Sequence, residues 1–189
     1  MNQRLQGVLA FLLLMALTAL FAWRFVNFDI APFEDAAMLR RYAEHLAMGE
    51  GIVWNIGEAP VDGGTDFLFM VVVALLHAVG LSLEGAVRLI TVSSHFATVA
   101  MIFLGMRQVQ GAGAVAAGVS ALHFAVGPGL FLRAAYFGTP LFVLAVAGAC
   151  RLAQRAMLLG VRSLPGYLQV SLVCLIAGLI RPEAVRLRA

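Results

Sequence analysis

The chain has 189 residues, 62% of them hydrophobic and only 12% charged, with a formal net charge of +3. A soluble domain carries roughly 45–50% apolar and about 25% charged residues, and one water-facing core of this size cannot hide so much apolar surface. Soluble enzymes and intrinsic disorder are therefore excluded, and a polytopic membrane protein is indicated.

All 13 basic residues are arginine and they form no basic run, so no nucleic-acid partner is expected. Cys150 and Cys174 both fall inside apolar stretches and read as packing residues rather than a disulfide or metal pair. His45, His77, His95 and His123 show no HxxxH spacing, and there is no nucleotide-binding glycine loop. No metal ligand set is assigned.

The first apolar run covers residues 7–26, with Arg4 before it and Trp23 near its far end. About 20 apolar residues suffice to span a bilayer, and no small-x-small cleavage site argues for a signal peptide. An outer loop, 27–85, follows, and its first part (27–66) is the only long polar stretch. Four further runs, about 86–106, 112–131, 137–158 and 164–180, are read as spans. The run 67–81 has the length at which an interfacial segment competes with a true crossing.

Charge decides between these alternatives. If 67–81 does not cross, Arg4, Arg107, Arg151, Arg155 and Arg162 all fall on the cytoplasmic side and every acidic residue falls outside. If it does cross, the arginine-rich 151–162 segment flips outward, against the positive-inside rule. The expected fold is thus all-α: a polytopic transmembrane bundle of five spans, N-terminus inside. Its outer loop carries juxtamembrane helices at about 34–48 and 67–81.

Within that loop Pro32 introduces a helix ended by Gly49 and Gly51. At about 100° per residue, Asp35, Leu39, Tyr42 and Leu46 share one face, and Glu34, Arg40, Arg41, Glu44 and His45 take the other. Asp35 is therefore expected to point into the apolar side, with Glu34 near the boundary. An acidic residue in a first turn gains from the helix dipole and is often a cap, whereas an ionisable group at a membrane boundary is a functional hypothesis by default. Trp54 fits either a sugar-stacking platform or an interfacial aromatic belt.

Together the segments Glu34-Asp35-Ala36, Arg41-Tyr42-Ala43, Gly49 to Asn55 and Val61 to Leu68 follow one order and spacing. They resemble the first outer loop of GT-C-type integral membrane glycosyltransferases, closest to the bacterial arabinofuranosyltransferase-like branch that uses polyprenyl-phosphate sugars. Thr139-Pro140-Leu141-Phe142 and Leu179-Ile180-Arg181-Pro182-Glu183 resemble two later motifs of that family. The acidic pair here is Glu-Asp rather than Asp-Asp. Gly138 stands where the family usually carries a second carboxylate.

The resemblance implies transfer of a sugar from a lipid-linked donor to a cell-envelope glycan, lipid or protein acceptor, at the extracytoplasmic face of a bacterial cytoplasmic membrane. In that reading Asp35 is the catalytic base, assisted by Glu34. Arg41, Tyr42, Trp54, Asn55, Arg133, Arg181 and Glu183 contact substrate. The three arginines suit the departing phosphate; each alone is equally read as a lipid-phosphate anchor or a partner of a nearby acid. No organic cofactor is implied; a divalent cation is a candidate. Family members continue for further spans, so the chain is expected to represent an N-terminal portion. The alternative is a non-catalytic remnant or partner subunit built on the same module. A transporter subunit fits less well, because the charges lie at span ends rather than mid-span.

Overall fold

A computed structural model describes residues 2–26, 34–60, 65–108, 111–129, 137–158 and 164–182. Among these residues there are seven helices and no strand: α1 (Gln3–Phe25), α2 (Glu34–Ala47), α3 (Phe67–Ala78), α4 (Leu83–Gln108), α5 (Ala114–Val126), α6 (Thr139–Leu158) and α7 (Leu164–Ile180). Three of them, α1, α4 and α6, are long and apolar enough to cross a membrane. At 1.5 Å rise per residue the 12-residue α3 reaches only about 18 Å. The expected run 112–131 is helical over Ala114–Val126, where Gly127 caps it.

The outward faces are apolar. Leu9, Leu12, Leu13 and Leu20 of α1 and Leu168, Leu172 and Leu175 of α7 are all exposed. A helix apolar all round belongs in lipid. Cys150 and Cys174, expected as packing residues, are instead free and exposed on α6 and α7. A thiol behaves as a small hydrophobe, so an apolar surround is satisfied by an outward face as well as by a core.

Two features orient the helices. A Cβ at Gly7, near the start of α1, would lie 3.3 Å from Arg107 Nη2 at the end of α4. Arg151, in the second half of α6, donates from Nη2 to Gln108 Oε1. These contacts gather the start of α1, the end of α4 and the later part of α6 at one end of the bundle. At the opposite end lie the start of α4, the start of α6 and the end of α7.

Helix α3 stays at that opposite end. Its N-terminal Asp66 touches Gly138 and Arg181, and its C-terminus turns directly into α4. The turn is a Schellman closure: Gly80 takes φ 103°, its N–H bonds to His77 O, and Leu81 N–H reaches Leu76 O. Glycine adopts this left-handed backbone without a Cβ penalty.

The core is split. One cluster joins α2 (Ala36, Leu39, Tyr42, Ala43) to α3 (Phe69, Met70, Val73, Ala74) and the first turns of α4 (Ala86, Val87, Ile90). A second joins α1, α4 and α5 through Leu14, Val99, Phe103, Ala117, Ala121 and Ala125. The small residues of α5 thus pack against the chain's own helices, letting backbones approach closely.

Candidate functional site

The α2 helix and the strap behind it form one polar assembly. The helix ends at Gly49 and Gly51, whose φ values of 84° and 81° reverse the chain, as their spacing predicts. Glu50 N–H bonds back to His45 O, completing the same closure seen at Gly80. The returning strand of chain is then gripped by α2. Arg41 donates from Nε to the Trp54 carbonyl at 2.8 Å and from Nη2 to Asn55 Oδ1 at 3.1 Å. Its Cζ lies 4.5 Å from the Trp54 ring centroid, a cation–π contact. Asn55 in turn donates to Glu58 Oε2 at 2.9 Å, and Tyr42 meets the Trp54 ring edge-on at 5.8 Å. Four expected substrate contacts (Arg41, Tyr42, Trp54 and Asn55) are therefore brought together.

Arg41, assigned to the departing phosphate, commits two of its donors to the strap, and it covers a face of Trp54 that a sugar would otherwise use. Arg41→Ala should release the strap at a cost of about 1–2 kcal/mol, the sum of a charged hydrogen bond and a cation–π contact discounted for exposure. In a Trp23→Phe background, Trp54 fluorescence reports this directly. An emission spectrum unchanged by the substitution would show that the strap holds without Arg41.

Glu34 and Asp35 are both exposed, which corrects the expected inward placement of Asp35. The wheel angle holds for Leu39 and Tyr42, which are buried as neighbours on that face, whereas His45, expected on the polar face, is buried as well, its Nδ1 2.8 Å from the Val53 carbonyl of the strap. What the angle lacks is height along the axis. Side chains on a helix tilt toward its N-terminus, so a first-turn residue projects past the end of the packing surface. Burial on α2 begins one residue later, at Ala36.

The buried carboxylate is Asp66, fully inaccessible at 0% exposure. It precedes α3 without capping it through its side chain. Oδ2 accepts the Gly138 N–H at 2.8 Å, and Oδ1 accepts from Arg181 Nε at 2.9 Å. Three elements thus meet at one carboxylate: the starts of α3 and α6 and the end of α7. Arg181, expected as a substrate contact, is ion-paired here, with its side chain 28% exposed. Arg133 and Glu183 lie outside the described residues.

Gly138 has a steric explanation. A Cβ there would sit 2.8 Å from both Asp66 Oδ2 and Phe69 Cβ, closer than real Cβ contacts. The space beside Gly138 is taken by the Asp66 carboxylate at the start of α3. Sequence reasoning missed Asp66, although one signal was present: an acid immediately before an unbroken apolar run, 67–76, has no solvated neighbours on its C-terminal side.

Among the described residues no group of three His, Cys, Asp or Glu side chains is placed to hold a metal ion. Comparison with family models, with curated proteins and with solved structures finds no match to this chain.

Proposed function

We propose that this protein is a membrane glycosyltransferase that takes its sugar from a polyprenyl-phosphate donor and works at the extracytoplasmic face. In this reading α1, α4, α5, α6 and α7 cross the bilayer. The arginine-bearing end lies inside and the end with α2 and α3 lies outside, in keeping with the positive-inside rule. The short α5 packs against both α1 and α4.

The observation that carries the reading is a first turn bearing two exposed carboxylates, just ahead of the stretch that packs α2 against α3 and α4. An acceptor hydroxyl can reach such a turn. As its oxygen bonds to the anomeric carbon, the hydroxyl proton passes to Asp35 and the bond to the lipid phosphate breaks, with the electron pair leaving on phosphate. Glu34 supports the same proton transfer.

Asp35→Asn should abolish transfer of a labelled sugar from a polyprenyl-phosphate donor in membranes. A positioned base contributes about 100-fold or more. Membrane insertion should be unchanged. Retained transfer would remove Asp35 from the mechanism.

One observation favours the second reading, a non-catalytic subunit or remnant. Asp35 is open rather than set in apolar ground, while both oxygens of the one fully buried carboxylate described, Asp66, are already bound. That reading expects binding of the lipid-linked sugar without turnover.

A further inference from the structure

The pair α4–α6 leaves an opening at the end of the bundle away from the carboxylates of α2. Met101 and Gly105 on α4 face Ala147, Cys150, Arg151 and Gln154 on α6 across a groove of 170 Å³. The four α6 positions follow the spacing of a single helix stripe. One turn away the seam is closed more tightly, since a Cβ built on Gly148 would lie 3.8 Å from Met101 Sδ. At Gly105 a Cβ would meet nothing within 4 Å, although the residue is buried. The absent side chain of Gly105 is what opens the groove.

Pockets for whole small molecules begin at roughly 300 Å³, so this space suits part of one slender chain. Its walls are apolar as far as Arg151 and Gln154. Arg151 donates to Gln108, the last residue of α4, which places its head at the end of the bundle. A guanidinium has five N–H donors, and further donors remain for a ligand. Arg155 stands exposed one turn beyond. No aspartate or glutamate among the described residues lies at this end, and arginine keeps its proton at any working pH. The positive charge is therefore fixed and uncompensated.

We propose that this groove binds an anionic phospholipid, with one acyl chain lying over Gly105 and the phosphate on the remaining donors of Arg151. Basic sites between helices at a membrane boundary recognise such heads. A zwitterionic head brings its own cation beside the guanidiniums and is held less well. A second copy of the chain fits poorly, because a two-fold contact would set Arg151 and Arg155 against their own counterparts. The inference needs only that the bundle sits in a bilayer. It lies at the opposite end from α2, and a protein that transfers no sugar would keep it.

Native mass spectrometry of the whole chain counts bound lipids directly. The chain is released from detergent micelles holding equal amounts of dioleoylphosphatidylglycerol and dioleoylphosphatidylcholine, so only the head group differs. The first lipid retained should be phosphatidylglycerol, favoured by about tenfold, the scale of a charge-assisted hydrogen bond. Arg151→Gln keeps a polar side chain but removes the charge, and should bring the two lipids to parity.

Gly105→Leu fills the groove from α4 and should abolish the preference with Arg151 still in place. Cys150→Phe fills it from α6 and should do the same, so a folding defect in one variant, seen by circular dichroism, leaves the other to decide. Equal retention of both lipids by the native chain would overturn the proposal. So would a preference undiminished in Arg151→Gln or in either folded groove-filling variant. A dimer in place of bound lipid, lost in Gly105→Leu, would assign the groove to a second copy and overturn it as well.

Discussion

Replacing Asp66 with alanine should lower the unfolding free energy by about 3 kcal/mol, the lower part of the range for breaking a buried ion pair. The lower part applies because Arg181 keeps 28% of its side chain exposed and can recover some hydration. Two groups are orphaned together. The Gly138 N–H loses its 2.8 Å acceptor in a buried setting, and the Arg181 guanidinium loses its counter-charge. Asp66→Asn should cost less, since an amide oxygen can still accept from Gly138 while the charge is gone. Thermal unfolding in detergent, followed by circular dichroism, ranks the three proteins. If Asp66→Ala melts with the native protein, the carboxylate does not hold α3, α6 and α7 together.

Gly138→Ala is expected to cost about 1–3 kcal/mol by overpacking. Ordinarily one methyl group is absorbed by a flexible neighbour. Here its neighbours are Asp66 Oδ2 and the first atoms of the Phe69 side chain, the carboxylate being pinned by two bonds and Phe69 being 1% exposed. Gly138→Glu should be worse, because it sets a second negative charge against Asp66. The cost should shrink when Asp66 is already alanine, so the two substitutions are non-additive and a double-mutant cycle measures their coupling. Strict additivity would place the methyl clear of Asp66.

The helices themselves were legible because their signals are local. Residues 164–180 match α7, and 34–48 differs from α2 by a single residue, since glycine closures and apolar runs announce themselves within a few positions. The end of α3 came three residues early because the Gly80 closure consumes the residues that looked helical. Site placement was less legible. Asp35 needed a height as well as an angle. Arg41 was drawn to a strap 13 residues away, a partner set by how the chain reverses at two glycines. Asp66 pairs with Arg181 across 115 residues, and no periodicity reports a contact between elements so far apart.

That separation has a consequence for biosynthesis. At roughly 5–20 residues per second, the ribosome delivers Arg181, 115 residues later, about 6 to 23 seconds after Asp66. Throughout this interval the aspartate lacks its Arg181 partner and must remain hydrated beside the nascent bundle. The first half of the protein therefore waits, docked but unlocked, for the last helix to arrive. Translation products released before Arg181 would present an unmatched acid at the membrane surface, a mark that quality-control proteases can read.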